Sequence, residues 1–373
     1  MRILEVEVYG RGGLAHYVNN LSQALALRGN RVWLVTAADY ELAERTTLPS
    51  NLEIVKRTGR HSGKSDHANT GILHRTGRRI EALFDAFAVT RLARRLDPDV
   101  IHFHSTNSIA FVYLSLFRRL RAPVVYTAHV VTPHEPMRME KAIWGSIHRS
   151  VDLVVAHSRF DRARLQEEFG LPPSRVEVIP HGEYSFFEQS DSSVSRQDAR
   201  QSLGLGPSDE VALFFGYIRE YKGLDLLFEA WPEVVAARPN SRLLVAGDPV
   251  QLSQERLAEL RAWAERVGAA HRFAYIPFSD VGRYFRAADT LVLPYRRISQ
   301  SGVLYLALSL GVPVIATRVG GLPEMLQEGV NALLVPPDDV PELAQALIRI
   351  LGDPALRSRL ADGGHRLADE HSW

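Results

Sequence analysis

Short apolar runs alternate along the whole chain with stretches whose apolar positions recur every three or four residues. A strand covered on both faces needs no polar side, whereas a covering helix needs one, so this alternation predicts parallel strands joined by crossover helices. In the first half the pattern predicts strands over 2–8, 31–36, 100–104, 124–128, 153–156 and 176–179. In the second half it predicts strands over 211–215, 242–246, 273–275, 290–293, 314–317 and 332–335. A helix should start after Gly12-Gly13 and stop near Arg28, where Gly29-Asn30 can turn left-handed. Two more are expected over 79–96 and 109–121. The segment 183–207 is rich in Ser, Asp and Gln and reads as a linker, and 58–77 reads as a mobile basic loop. The expected architecture is α/β: two Rossmann-like, doubly wound parallel-sheet lobes, 1–182 and 208–373, facing across a cleft with ligands beyond the carboxyl ends of the strands. No repeat of 20–50 residues argues for a solenoid or propeller.

The length, 373 residues, suits two such domains, and 46% apolar with 23% charged residues is a globular balance. The chain has no cysteine, which rules out disulfides, thiolate metal ligands and thiol nucleophiles and fits a reducing compartment, the cytoplasm by default. The opening MRILEVEVYGRGG is too short an apolar run for a signal peptide, and no run is long enough to cross a membrane. Net charge is +1, yet residues 1–180 hold 25 Lys+Arg against 18 Asp+Glu, +7, leaving −6 for the remainder. That split leaves two readings of the first half, a solvated basic face or a surface that meets an anionic membrane or phosphate-bearing acceptor. The helices over 79–96 and 109–121 carry the arginines such a membrane contact would use. The arginines are not interleaved with a stacking platform, so a nucleic-acid partner is not expected.

The chemistry concentrates in two phrases. In GYIREYKGLD, Gly216 allows a close turn after a strand, and Arg219 and Lys222 place two cations at the strand's carboxyl end, suited to a diphosphate. In RRISQSGVLYLALSLGVPVIATRVGGLPEML, Ser299, Gln300, Ser301, Gly302 and Val303 open an apolar helix whose first amides and positive dipole end suit a phosphate. Gly320-Gly321 offers a second tight turn. His102, His104, His129, His134, His157 and His181 fall at several strand ends without a metal-ligand spacing, so no metal is expected. Asp97-Pro98-Asp99 lies at the entering end of a strand and reads as a turn. Glu324 follows Pro323 at a helix start, where the dipole favours a carboxylate whether or not it does chemistry.

From Phe215 to Pro337 the order of GYIREYKGLD, LLVAGDP, RYFRAADTLVLPY, LALSLGVPVIAT, VGGLPEML and GVNALLVPPDD resembles the nucleotide-binding lobe of glycosyltransferase family four, the retaining GT-B transferases. YGRGGLAHYVNNL, DVIHFHS, VVYTAHV, VVAHSRFDRARL and VEVIPHGEYSFF are similar to its first lobe, so the likeness covers nearly the whole chain. The resemblance implies transfer of a sugar from a nucleoside diphosphate sugar to a sugar, lipid-linked or other hydroxyl acceptor, in glycan, glycolipid or polysaccharide synthesis. It implies retention, no cofactor and no metal, with Arg219 and Lys222 balancing the leaving diphosphate. It also implies that Gly12 and Gly13 lie near the donor phosphates, that His129 stands at the edge of the donor sugar, and that backbone near Ile276, Pro277, Phe278 and Ser279 reads the base.

The chain departs from the family pattern in places. Ile298 and Leu306 stand where the family has a pair of glutamates, and Tyr217 stands where it has an arginine, so Arg219 is expected to reach the same phosphates. The family continues past a tryptophan like Trp373 into a last helix, so that crossover helix is expected beyond the sequence given. Two other functions stay open: a sugar-nucleotide epimerase on the same fold, and a sugar-nucleotide-binding protein without catalysis, for which the missing glutamates are the best argument.

Overall fold

The computed structural model describes residues 1–42, 48–58, 72–105, 110–131, 138–187 and 194–373, and of these 72–80 and 138–140 by backbone alone. The basic loop expected over 58–77 falls mostly on 59–71, and His134 on 132–137, both outside the described residues. The chain divides into two compact units, Met1–Pro180 with Trp373, and His181–Ser372.

The first unit runs β1 (Arg2–Glu7), α1 (Gly12–Leu27), β2 (Arg31–Ala37), β3 (Leu52–Thr58), α2 (Ile72–Leu96), β4 (Val100–His104), α3 (Ala110–Phe117), β5 (Val124–Thr127), α4 (Arg138–Arg149), β6 (Leu153–Ala156), α5 (Arg159–Phe169) and β7 (Val176–Val178). Its strands are all parallel, in the order β3-β2-β1-β4-β5-β6-β7. Period two divides β1: Leu4 and Val6 join the core with Phe103 of β4, while Glu5 and Glu7 take the other face beside their register partners His102 and His104. Four ionisable groups are thereby set on one buried sheet surface.

The second unit runs α6 (Arg196–Ser202), β8 (Glu210–Phe215), α7 (Leu224–Ala237), β9 (Ser241–Ala246), α8 (Gln254–Arg266), β10 (Ala270–Arg272), α9 (Phe278–Ala287), β11 (Thr290–Leu293), α10 (Gly302–Ser309), β12 (Val314–Thr317), α11 (Leu322–Met325), β13 (Ala332–Val335), α12 (Val340–Gly352) and α13 (Pro354–Glu370). This sheet is parallel too, in the order β10-β9-β8-β11-β12-β13, over a core that includes Phe214, Trp231, Val245, Val292, Ile315 and Leu347. Strand order reverses between β1 and β4 in one sheet and between β8 and β11 in the other. Loops leaving those paired strands diverge to opposite faces, and a ligand seat opens between them.

Sequence and structure differ at the edges. Strand β3 was not expected, and β10 lies three residues before the expected 273–275. Both are edge strands with polar exposed positions, such as Glu53 and His271, so neither shows the apolar run of a buried strand. Helix α2 starts earlier than expected, and α3 stops at Phe117, leaving Arg118, Arg119 and Arg121 beyond its end. The expected linker 183–207 also differs. Residues 188–193 are outside the described set, and 196–202 form α6, which Ser195 caps by accepting from Asp198 N–H and which Arg200 anchors to Asp289 at 2.8 Å. The polar composition there is a cap, a solvated face and one buried ion pair. Asp99 accepts from Arg2 N–H at 2.6 Å at the foot of β4, so 97–99 is a structural turn.

Candidate donor site and a buried histidine row

In the second unit the switch point gathers the loops after β8 and β11. Gly216 ends β8 at φ +97, a conformation that favours glycine. A Cβ there would lie 3.0 Å from Val303 Cγ2 and 3.4 Å from Lys222 Nζ, so the turn touches both α10 and the lysine. Lys222 closes a 3-10 turn, is 93% buried by its 7% exposure, and holds its ammonium 5.5 Å from the centre of the Tyr295 ring. Tyr295 Oη lies 3.3 Å from Ser301 Oγ, and Ser301 caps α10 by accepting from Leu304 N–H. Gly216, Lys222, Ser301 and Val303 are therefore contiguous.

The carboxylates around this seat are already committed. Arg256 binds Glu220 at 2.9 Å and Asp225 at 3.0 Å, and Arg296 binds Asp225 at 2.9 Å and Asp338 at 2.8 Å. Among the described residues neither Arg219 nor Lys222 has an ion-pair partner. Burial, with the Arg219 charge added, pushes the Lys222 ammonium down to about 7. A lysine so placed is costly to charge without an anion, on the order of 5 kcal/mol for a shift of this size. Ser299 Oγ and Gln300 Oε1 are buried with no hydrogen-bond partner among the described residues, an arrangement that hydroxyl groups of a ligand can satisfy.

Sequence reasoning missed Tyr184 and, beneath the lysine, Tyr295, and it named His181 only among histidines without a metal spacing; Tyr184 and His181 approach Gly302. A Cβ on Gly302 would lie 3.4 Å from Tyr184 Oη and 3.9 Å from His181 Nε2, and His181 stacks on Tyr305 at 4.7 Å. No spacing rule links such residues, since the fold alone brings them to one helix end. Gly320, at φ +57, backs the loop: a Cβ would sit 1.6 Å from the Ile298 carbonyl oxygen, and Gly321 N–H donates to the Ser299 carbonyl. Ile298 and Leu306, at the family's glutamate positions, are both buried apolar residues. Glu324 is exposed in the first turn of α11. Ile276 and Phe278 are buried, Pro277 is exposed and precedes α9, and Ser279 is half-buried. The Phe278 ring is packed against Phe187 at 4.6 Å and stacked on Phe186 at 5.6 Å, so its faces serve an aromatic cluster.

In the first unit the glycine loop after β1 faces carboxylates. Glu7, buried, accepts from Gly10 N–H at 3.0 Å and from Thr36 Oγ1 at 2.8 Å, and burial pushes it up to about 7. The Gly12 N–H, expected to face donor phosphate, donates to Glu41 Oε1 at 2.6 Å, and Gly13 follows it in the first turn of α1. The start of α1 attracts a carboxylate for the reason it would attract a phosphate, and here the chain supplies one itself.

The histidines converge more than their spacing suggested. His104 Nε2 is 2.8 Å from Glu5 Oε2, His104 Nδ1 is 3.2 Å from His129 Nε2, His129 Nδ1 is 3.4 Å from His157 Nε2, and His157 Nδ1 is 2.9 Å from the Ile179 carbonyl oxygen. His102 joins from the side, 3.2 Å from Glu5 Oε1 and 2.7 Å from Thr127 Oγ1. Burial alone would raise the Glu5 carboxyl, but the facing His102 and His104 imidazoles hold it at about 2. Ligand-type atoms of Glu5, His102 and His104 lie within 4.8 Å of one another, a convergence that the expectation of scattered histidines did not foresee. Both ring nitrogens of His129, expected at the edge of the donor sugar, are engaged in the row.

Two parallel sheets, each with a switch point, and a cationic amide-lined seat in the second define a GT-B protein. Comparison with known proteins identifies the family. Residues 11–182 match the model described as Glycosyltransferase Family 4, and residues 209–353 the model described as Glycosyl transferases group 1. The D-inositol 3-phosphate glycosyltransferase of Frankia alni is 31% identical over 97% of this chain and 91% of that one, and the enzyme so named in Actinosynnema mirum is 29% identical over 97% and 89%. The Segniliparus rotundus enzyme of the same name is 32% identical, but the match spans 68% of this chain and 59% of that relative. Among solved structures, Anabaena HepE in complex with UDP and glucose has a TM-score of 0.77 at 21% identity, covering 100% of this chain and 95% of that one. Sucrose-phosphate synthase of Thermosynechococcus elongatus has a TM-score of 0.76 at 21% identity with the same coverage, and both likenesses concern the fold. The chain belongs to glycosyltransferase family 4.

Proposed function

We propose that the chain moves a glycosyl group from a nucleoside diphosphate sugar to an acceptor hydroxyl, with retention at the anomeric carbon and without a metal ion at the diphosphate. The observation that carries this reading is the pair Arg219 and Lys222, the latter buried and both without a counter-ion among the described residues, beside the Ser301-capped start of α10. Two cations and a helix end supply the charge that a leaving diphosphate develops as the glycosidic bond to it breaks. The acceptor oxygen then bonds to the anomeric carbon on the face the diphosphate leaves, and its proton passes to the departing phosphate oxygen. Ser299 Oγ and Gln300 take the place of the missing glutamates as partners for sugar or ribose hydroxyls.

The relatives' shared name makes D-inositol 3-phosphate the first acceptor to test, and the Anabaena complex makes UDP-glucose the first donor. Glycan, glycolipid or polysaccharide synthesis is the wider setting proposed. The test is calorimetry with UDP-, GDP- and ADP-sugars on the wild type and on Arg219→Ala and Lys222→Ala, followed by detection of released nucleoside diphosphate with and without acceptor. Loss of donor binding in both variants is expected, and unchanged binding and turnover would overturn the assignment. Donor binding with no release under any acceptor would instead favour a sugar-nucleotide-binding protein, the reading to which buried Ile298 and Leu306 lend weight.

A peripheral contact with an anionic bilayer belongs to the same proposal. On α2 the outward residues Leu83, Phe84 and Phe87 are followed along one stripe by Arg91, Arg94 and Arg95, and on α3 exposed Phe111 is followed by Arg118 and Arg119 beyond the helix end. Phe84 is 70% and Phe87 59% exposed, an apolar surface that a bilayer would cover while arginines met its phosphates. No helix among the described residues is long and apolar enough to cross a membrane.

A further inference from the structure

The buried row in the first unit has four contacts, and three neutral imidazoles carry only three protons. The end at Ile179 fixes the direction of the row. A carbonyl oxygen only accepts, so His157 Nδ1 carries its proton and donates it there at 2.9 Å. A neutral His157 then accepts at Nε2 from His129 Nδ1, and a neutral His129 accepts at Nε2 from His104 Nδ1. The row therefore reaches Glu5 with the Nε2 atom of His104 set 2.8 Å from a carboxylate oxygen, a distance at which two lone pairs would repel.

We infer that a fourth proton lies at this contact, that His104 is an imidazolium paired with the Glu5 carboxylate, and that the pair is the positioning device fixing the tautomer and ring orientation of His129. The opposite polarity would put the positive charge on His157 at the far end, against a carbonyl. Burial disfavours the charged form of His104 and His157 alike, each pushed down to about 4, and only at His104 does a carboxylate oppose it. The carboxylate end also favours the first arrangement, because Glu5 is drawn low and leaves the proton on the imidazole side.

The surroundings agree with a net-neutral row. From β4, His102 also faces Glu5 and meets Thr127 Oγ1, so a single carboxylate serves two imidazoles. From α1 the Tyr17 ring lies 5.9, 4.7 and 5.2 Å from the His104, His129 and His157 rings, and Trp373 packs on Tyr17 at 5.0 Å. Glu7, the next residue of β1 on that face, accepts instead from Gly10 and Thr36. The inference deepens the proposed function and rests on it in that glycosyl transfer is the activity the row serves. With both nitrogens committed, His129 offers no acid or base, and Glu5 and His104 act through it without reaching the reacting atoms.

The test uses the full chain labelled with 15N in histidine. At pH 7.5 the wild type should show one row imidazole protonated on both nitrogens and two neutral imidazoles protonated on Nδ1, and Glu5→Gln should lose the doubly protonated one. In turnover, Glu5→Gln should lower kcat by about tenfold or more with a much smaller change in donor KM, and should add an ionisation to the pH profile that the wild type lacks. A wild-type spectrum with no imidazolium overturns the inference, as does a stoichiometric metal ion between Glu5, His102 and His104. If Glu5→Gln does not fold, the wild-type spectrum decides alone. Donor calorimetry on the same samples separates the two proposals: a missing imidazolium with intact donor binding sinks this inference only, and absent donor binding with the imidazolium present sinks the donor reading only.

Discussion

Lys222 joins two properties that pull in opposite directions, and their opposition can be measured. Its ammonium is buried, borders Arg219, and is destabilised by that burial and by the like charge, both of which a bound diphosphate would offset. Lys222→Met keeps the apolar stem and removes the charge, so the second unit should become more heat-stable while nucleoside diphosphate affinity falls by about a hundredfold, equivalent to about 3 kcal/mol. Thermal melts and calorimetry on one preparation give both signs, and a variant that loses stability and keeps affinity would contradict the account. The pH dependence follows from the same group. Its pKa in the folded chain, about 7, is below the ordinary 10.5, so between those values the unfolded chain binds more protons and stability rises with pH. A bound anion raises the folded pKa, so donor binding at pH 8 should take up nearly one proton and weaken as pH rises further. Calorimetry in buffers of different ionisation enthalpy reads that proton directly, and Lys222→Met should abolish it.

At the scale of elements, the seat depends on backbone held close to backbone. Gly320 lets the turn after β12 lie against the Ile298 carbonyl, which leads directly into Ser299, Gln300 and the Ser301 cap of α10. A methyl group at position 320 has no room and would also strain a left-handed φ, so Gly320→Ala should cost about 1–3 kcal/mol and displace the loop that faces the ligand. Donor affinity should fall more than stability does, and equal affinity in a folded variant would show that this loop does not bear on the donor. Such packing also marks how far the sequence could be read. Central strands such as β4, β8 and β12 are covered on both faces and announce themselves as apolar runs, whereas edge strands β3 and β10 keep polar positions and were missed or displaced. Gly216, Arg219, Lys222 and the Ser301 helix start were legible because turn, charge and cap chemistry are local. Tyr295, His181, Tyr184 and the link from Glu5 to His104 were not, because strand register and folded loops choose those partners across tens of residues.

For the molecule as a whole, charge is sorted between the halves, +7 over residues 1–180 and −6 over the rest, and the basic half bears the exposed aromatic residues of α2 and α3. Helices α2 and α3 are in contact and both are crossovers between parallel strands, so they run in the same direction, with aromatic residues toward their starts and arginines toward or just past their ends. An anionic bilayer can use both parts of that surface: each arginine near it contributes about 1 kcal/mol at low salt, and buried aromatic area adds a component that salt does not screen. The full chain should therefore sediment with vesicles of phosphatidylglycerol and phosphatidylcholine, and not with phosphatidylcholine alone. Raising salt should weaken binding without abolishing it, while the double variant Phe84→Asp with Phe87→Asp should leave only a weak, wholly salt-sensitive remainder. Vesicle binding undiminished by the double aspartate change would remove the aromatic residues from the contact, and no binding to anionic vesicles at low salt would assign the basic half to a soluble acceptor, because a small phosphate-bearing ligand needs the positive field and has no use for two exposed phenylalanines.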